Sequence, residues 1–140
     1  HEEALLQASG AQMRASKLGV YTRNYFLAGG REDFSRYYTI HGNAAKFRPD
    51  LLSRVMFKKH NLATDQPIQR FHVVLCRNVL IYFNQGLKER AHRMFIESLG
   101  ERGFLVLGKK ESICLTAQAY IYDTIDGDAK IYRIKEGFFW

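Results

Sequence analysis

Two short runs hold the residue types best suited to chemistry. Arg77-Asn78 sets a planar guanidinium fork beside an amide that both donates and accepts. His60-Asn61-Leu62 offers a second amide between an imidazole and an apolar side chain, and Tyr82 adds a hydroxyl shortly after the first run. Such groups suit a nucleotide-like ligand with a carboxylate and heterocyclic edges. Spacing alone leaves a plainer alternative open. Arg77 and Asn78 could simply satisfy loop backbone, because buried polar groups need partners whatever the function. Tyr82 could be a packing aromatic with a bonded hydroxyl.

Other reactive side chains form no constellation. The histidines His1, His41, His60, His72 and His92 show no paired metal spacing. Asp123, Asp126 and Asp128 surround Gly127 but lack the bidentate Glu of a calcium loop. Cys76 and Cys114 are the two cysteines, so there is neither a disulfide framework nor a zinc pattern. Cys76 ends an apolar run and reads as a small core residue. Arg90, His92 and Arg93 read as the solvated face of a helix.

The elements that must position these groups follow from patterning. Residues 2–18 read as a helix, with frequent Ala, loosely spaced Leu and Met, and Gly19 as the stop. Residues 20–50 are rich in aromatics and read as short helices plus a hairpin. Its turn is His41-Gly42-Asn43, joining Tyr38–Ile40 to Ala44–Phe47. Pro49 fits the first turn of a short helix near 49–53. Arg54–Lys59 reads as a short strand. Phe71–Cys76 is almost wholly apolar and reads as a strand buried on both faces. Asn84 can cap a helix to about Leu99, with Gly100 as its end. Gly103–Gly108 is a further apolar strand. Strand, helix, strand at this length is a βαβ unit, so the two strands should be parallel. Asp126-Gly127-Asp128 between Tyr120–Ile125 and Lys130–Ile134 signals a C-terminal antiparallel hairpin. Ligands of open α/β sheets bind beyond the carboxyl ends of the strands, which is where 60–62 and 77–78 would then fall.

Composition bounds the rest. The 140 residues are 46% hydrophobic and 14% aromatic, which suits one folded domain and not a disordered chain. The net charge of +7 favours anionic partners in general and selects none, because the charge is scattered. No stretch nears the roughly 20 apolar residues of a membrane span. His1-Glu2-Glu3-Ala4 lacks the basic head of a signal peptide, and the expected location is the cytoplasm.

The run Cys76-Arg77-Asn78-Val79-Leu80-Ile81-Tyr82-Phe83 resembles the CRNVLIYF signature of the chemotaxis receptor methyltransferases, the CheR family. Its surroundings agree. Gly103–Gly108 followed by Glu111-Ser112 resembles the family's GGYLFLGHSES segment, with Lys109-Lys110 in place of His-Ser. Lys59-His60-Asn61-Leu62 resembles its RHNL. Arg36-Tyr37-Tyr38 and Phe47-Arg48-Pro49-Asp50-Leu51 resemble its inserted subdomain. The resemblance covers about 4–134.

The resemblance implies a partial class I S-adenosylmethionine-dependent methyltransferase sheet, α/β and Rossmann-like, with strand order 3-2-1-4-5-7-6. Residues 1–140 would be the C-terminal part of the catalytic domain, with a small α/β insertion at about 19–50. The implied activity is methylation of glutamate side chains on the cytoplasmic helices of chemoreceptors, with S-adenosylhomocysteine as product. Asn61 and Leu62 would lie against the adenine, Arg77 and Asn78 near the rest of the cofactor, and Tyr82 near the transferred methyl group. The short Thr39–Phe47 connection resembles the form that does not use the receptor's C-terminal pentapeptide.

The sequence departs from the family in one large respect. Members also carry an N-terminal helical domain, a catalytic Arg, a Gly-rich first strand with a STGEEPYS-type segment, and a second strand ending in an ATDI-type Asp. None is present in these residues. The expectation is therefore a piece of a longer methyltransferase, inactive alone, whose unpaired sheet edges favour self-association. The alternative is a non-enzymatic regulatory or interaction module that keeps the fold. A nucleic-acid methyltransferase is disfavoured by the CRNVLIYF run, so no nucleic acid and no membrane insertion are expected.

Overall fold

The computed structural model describes residues 11–138. They divide into two compact units between Lys59 and His60. Among the described residues no helix is long and apolar enough to cross a membrane.

The first unit is built on a three-stranded antiparallel sheet of β1 (Gln12–Arg14), β2 (Tyr38–His41) and β3 (Ala44–Phe47), in the order β1-β3-β2. Helix α1 (Leu18–Leu27) and the short helix α2 (Pro49–Leu52) complete it. Phe34, Met13 and Ala45 form its buried centre, with Tyr25, Tyr37, Tyr38 and Phe47 packed around them. The Phe34 ring stacks on Tyr25 at 5.1 Å. The expected hairpin is present, and Pro49 occupies the first turn of α2.

Two expectations fail in this unit. The helix over 2–18 is not continuous. Residues 2–10 lie outside the described residues, but Gln12–Arg14 are a strand paired with Lys46, Ala45 and Ala44. Burial of Met13 beside Ala45 outweighs the weak helix preference of this segment. Gly19 then falls inside α1 instead of ending a helix. Arg54–Lys59 is not a strand. A strand exists only as one side of a ladder, and none of the described residues pairs with this segment.

The second unit is a four-stranded sheet of β4 (Phe71–Cys76), β5 (Leu99–Leu107), β6 (Tyr122–Asp126) and β7 (Ile131–Ile134). Its order is β4-β5-β7-β6. β4 and β5 are parallel, and the pairs made by β7 are antiparallel. Helix α3 (Gln85–Ser98) is the crossover between the parallel strands. Asn84 caps it, its side-chain oxygen accepting from the Leu87 N–H at 3.0 Å. The Asp126 carboxylate forms the hairpin turn by accepting from Asp128 and Ala129. Gly100 does not follow a loose helix end, because β5 begins directly after α3.

The core lies between α3 and one face of the sheet. Ala91, Phe95 and Ile96 of α3 meet Cys76, Leu105, Leu107, Tyr132 and Ile134. β4 is not buried on both faces as its composition predicts. Among the described residues it is one of the two edge strands, and Phe71, Val73 and Leu75 point to an open face.

Candidate functional site

The carboxyl ends of the parallel strands β4 and β5 lie side by side, with Cys76 opposite Leu107. The chain leaves β4 through Arg77–Tyr82 and leaves β5 through Gly108–Glu111. One side chain joins the two exits. Glu111 is 5% exposed, and its carboxylate accepts four backbone N–H groups. Oε2 accepts from Asn78 at 3.0 Å and Gly108 at 2.7 Å. Oε1 accepts from Val79 at 2.9 Å and Leu80 at 2.7 Å. Burial alone would raise the Glu111 pKa, but the donors of Gly108, Asn78, Leu80 and Val79 outweigh it and hold the carboxyl below its ordinary value.

This clamp fixes an uncommon backbone. Asn78 has φ 61°, in the left-handed region where Asn is among the better tolerated residues. Close approach at Gly108 completes it. A Cβ there would lie 2.5 Å from the Asn78 side-chain oxygen, 2.7 Å from Glu111 Oε2 and 2.8 Å from the Asn78 nitrogen. The exit of β5 can therefore meet the exit of β4 only as glycine.

The clamp also bears on the plainer reading of Arg77 and Asn78. The backbone of this loop is satisfied by Glu111, not by those side chains. Arg77 and Asn78 are exposed, and among the described residues neither side chain makes a hydrogen bond or ion pair. Their polar groups are left facing solvent at the strand ends. Tyr82, at the end of a single 3-10 turn (Leu80–Tyr82), is 82% exposed, so it is not a packing aromatic.

Asn61 and Leu62 stand apart from this loop. They do not follow a strand, since 54–59 forms none. Asn61 opens a turn: its side-chain oxygen accepts from Ala63 at 2.9 Å, and its N–H donates to Asp65 at 2.8 Å. The turn lies on α3 through His60 against the Met94 sulfur and Arg90 against the Asp65 carbonyl. Leu62 packs against the main core. The Asn61 amide nitrogen has no partner among the described residues. The hydrogen bonds of Asn61 thus stay within its own turn and do not reach 77–82.

His92 is not part of a solvated face. It is 1% exposed, with its ring edge-on to Phe95 at 5.6 Å. Burial lowers its pKa to about 4, against an opposing pull from Glu111, so the imidazole is neutral near pH 7. It lines a cleft of about 130 Å³ with Gln85, Lys88, Lys110 and Thr116. Ligand pockets begin near roughly 300 Å³, so a nucleoside would not be held there. Cys76 behaves as the expected core residue. Burial, with Glu111 nearby, raises its thiol to about 11 and keeps it a poor nucleophile.

Glu111 is the residue that reading the sequence for chemistry passed over. Its signals are the Gly108 to Glu111 spacing after an apolar strand and its place in the segment that resembles the family's GGYLFLGHSES, neither of which assigns it a role. Its partners Asn78, Val79 and Leu80 lie 33, 32 and 31 positions away, where spacing carries no information.

Comparison with known proteins agrees with the loop. Residues 8–128 match the CheR methyltransferase SAM-binding domain. The putative methyltransferase Cher3 of Pseudomonas putida is 46% identical over 113 residues, which are 81% of this chain and 41% of that protein. A chemotaxis protein methyltransferase of Listeria monocytogenes is 29% identical over 103 residues, 74% of this chain and 39% of that one. Chemotaxis protein methyltransferase 1 of Pseudomonas aeruginosa is 34% identical over 111 residues, covering 75% and 39%. The chain therefore spans about two fifths of the length of these relatives. With most of its residues inside the matched domain, the chain belongs to the CheR methyltransferase family.

Proposed function

We propose that this chain is the C-terminal part of an S-adenosylmethionine-dependent protein-glutamate O-methyltransferase of the cytoplasm, acting on the cytoplasmic helices of chemoreceptors. The observation that carries this reading is the ordered Arg77–Tyr82 loop. In a CheR-family chain it leaves two unpartnered polar side chains and one exposed tyrosine at the carboxyl ends of parallel strands. The strand order β4-β5-β7-β6 has the pattern of the 4-5-7-6 end of a class I methyltransferase sheet, which supports the Rossmann-like assignment. On this reading 1–140 belongs to the catalytic domain, and about 19–50 is its small inserted subdomain.

The residues present suit the cofactor. Arg77 offers a planar fork for the methionine carboxylate. Asn78 offers an amide for the neighbouring polar groups. Asn61 keeps a free amide nitrogen for a heterocyclic edge, and Leu62 supplies an apolar flank for the adenine. When bound, S-adenosylmethionine supplies a methyl group made electrophilic by its sulfonium. The receptor glutamate is ionised near pH 7 and needs no general base. The Tyr82 hydroxyl donates to that carboxylate and sets its angle of approach, which makes positioning the main contribution to rate. S-adenosylhomocysteine is the product.

Two points concern partners. The β2–β3 connection is only Gly42-Asn43, which supports a form that does not use the receptor's C-terminal pentapeptide. The free edge of β4 supports self-association when these 140 residues are isolated.

The test is transfer of labelled methyl groups from S-adenosylmethionine to a chemoreceptor cytoplasmic fragment by the full-length protein. Alkali-labile methyl esters on glutamate are expected. Tyr82→Phe should lower turnover by roughly tenfold or more, since misplacing a reacting group can cost about 10²-fold. A full-length protein that binds S-adenosylhomocysteine but esterifies no glutamate would shift the assignment to a non-enzymatic module.

A further inference from the structure

We infer that Glu111 is a positioning residue for the cofactor, acting through the backbone of Arg77–Leu80 without touching the ligand itself. The inference rests on the reading of Arg77 and Asn78 as cofactor-binding groups. Its basis is geometric. A carboxylate at the exit of β5 takes three successive N–H groups at the exit of β4 and one from its own turn. Three consecutive backbone donors aimed at one carboxylate fix the path of the chain between Cys76 and Leu80. That path includes the left-handed Asn78. The directions of the Arg77 and Asn78 side chains follow from it, and nothing else among the described residues holds those side chains.

Charge and shape both matter at this position. Each carboxylate oxygen accepts two N–H groups, so a side chain that presents a donor on either side leaves two backbone donors unmatched. Glu111→Gln has the same size and does this, since its amide NH₂ must face one donor pair. Glu111→Asp keeps the charge but is one methylene short of the four-donor position. Loss of a buried partner leaves donors unpaired, with an effect of about 1–3 kcal/mol per group, or roughly 5- to 150-fold on an equilibrium.

The test uses the full-length protein, with S-adenosylhomocysteine as probe. Three quantities are measured for wild type and Glu111→Gln: hydrogen exchange at the amides of Asn78, Val79 and Leu80, the Kd and stoichiometry of S-adenosylhomocysteine, and separate KM values for S-adenosylmethionine and for a receptor fragment. The expected result has the three amides losing protection and Kd rising about tenfold or more. Stoichiometry should stay near one site, and the receptor KM should be unchanged. A purely structural defect would instead lower the stoichiometry and leave Kd alone, and that outcome would overturn the inference. So would loosened amides with a wild-type Kd. If Glu111→Gln does not fold, Glu111→Asp takes its place, with the same two overturning results and a smaller expected rise in Kd. Failure of the wild type to bind S-adenosylhomocysteine is a separate outcome. It removes the cofactor reading itself, and the inference with it.

Discussion

The two faces of the four-stranded sheet are made of similar residues and have different fates. On one, Val74 and Cys76 of β4 lie beside Leu105 and Leu107 of β5, then Tyr132 and Ile134 of β7, all under α3. On the other, Val73 and Leu75 lie beside Phe104 and Val106, and Val106 beside Ile131. Leu105 is 0% exposed, whereas Leu75 is 71% exposed and Val73 50%. An apolar pattern therefore marks a face as suited to burial without naming the element that buries it. Among the described residues the α3 face gains most of the roughly 25 cal/mol per Å² of removed apolar surface, while Phe104, Val106 and Ile131 of the other face are only partly buried.

The largest expected effect lies on the covered face. Leu105→Ala should cost about 2–5 kcal/mol, the transfer of a buried isobutyl group plus the cavity it leaves. Urea unfolding of the second unit should show it as a lower midpoint at unchanged slope. A cost below about 1 kcal/mol would mean that the α3 face is not tightly packed, and the contrast between faces would collapse.

His92 tests the same face by pH. Its folded pKa of about 4 lies below the ordinary 6.5, so the unfolded chain takes up a proton that the folded one refuses. Stability should fall as pH drops below 6.5 and level off near 4, by up to about 3 kcal/mol. Glu111 acts in the same direction lower down. Its depressed folded pKa contributes stability above the ordinary carboxylate value, and this is lost as pH falls through the folded value. His92→Leu should flatten the upper part of the profile and leave the Glu111 part in place. A profile unchanged by His92→Leu would show that the imidazole takes up its proton in the folded state.

A smaller effect is expected where the two strand exits meet. Gly108→Ala forces a methyl group to within 2.5–2.8 Å of Asn78 and Glu111. Overpacking of this kind costs about 1–3 kcal/mol. Thermal unfolding should register it, and a wild-type Tm would mean that the loop can move away without loss.

How legible these regions were follows the range of the interactions that set them. The Asn84 cap and the Asp126 turn depend on neighbours a few residues away, and their local signals point to the observed structure. β4 pairs with β5 about thirty positions on; its apolar, β-branched run marks a strand but not the open face that strand presents. The β1 strand depends on pairing with residues about thirty positions on, and local Ala and Leu content pointed to helix instead. Arg54–Lys59 has strand composition but no partner among the described residues. His92 has the residue type of a solvated face, but its place, four before Ile96 and three before Phe95, sets it on the buried arc of α3. At the candidate site, Arg77, Asn78 and Tyr82 were picked out by type and motif. Glu111, whose carboxylate holds the N–H groups of Asn78, Val79 and Leu80, lies more than thirty positions from those partners, so no local pattern assigns it a role. Asn61 and Leu62 were picked out too, but their expected strand is absent and their turn is held against α3.

The smallest expected effect is on the open face, and it separates two accounts of the contrast. In the isolated 140 residues, Leu75→Ala should change stability by no more than about 0.5 kcal/mol, because the side chain is largely in water before and after folding. If a further part of the full-length protein covers β4, the same substitution there should cost several times more, approaching the 2–5 kcal/mol of a buried leucine. Measuring both by denaturant unfolding compares one position with and without cover. A small cost in both would leave this face of β4 open to solvent in the longer protein as well. Val73 and Leu75 would then form part of an exposed apolar patch, of the kind that marks an interaction surface. A large cost only in the longer protein would show that the two faces differ in their partner and not in their composition.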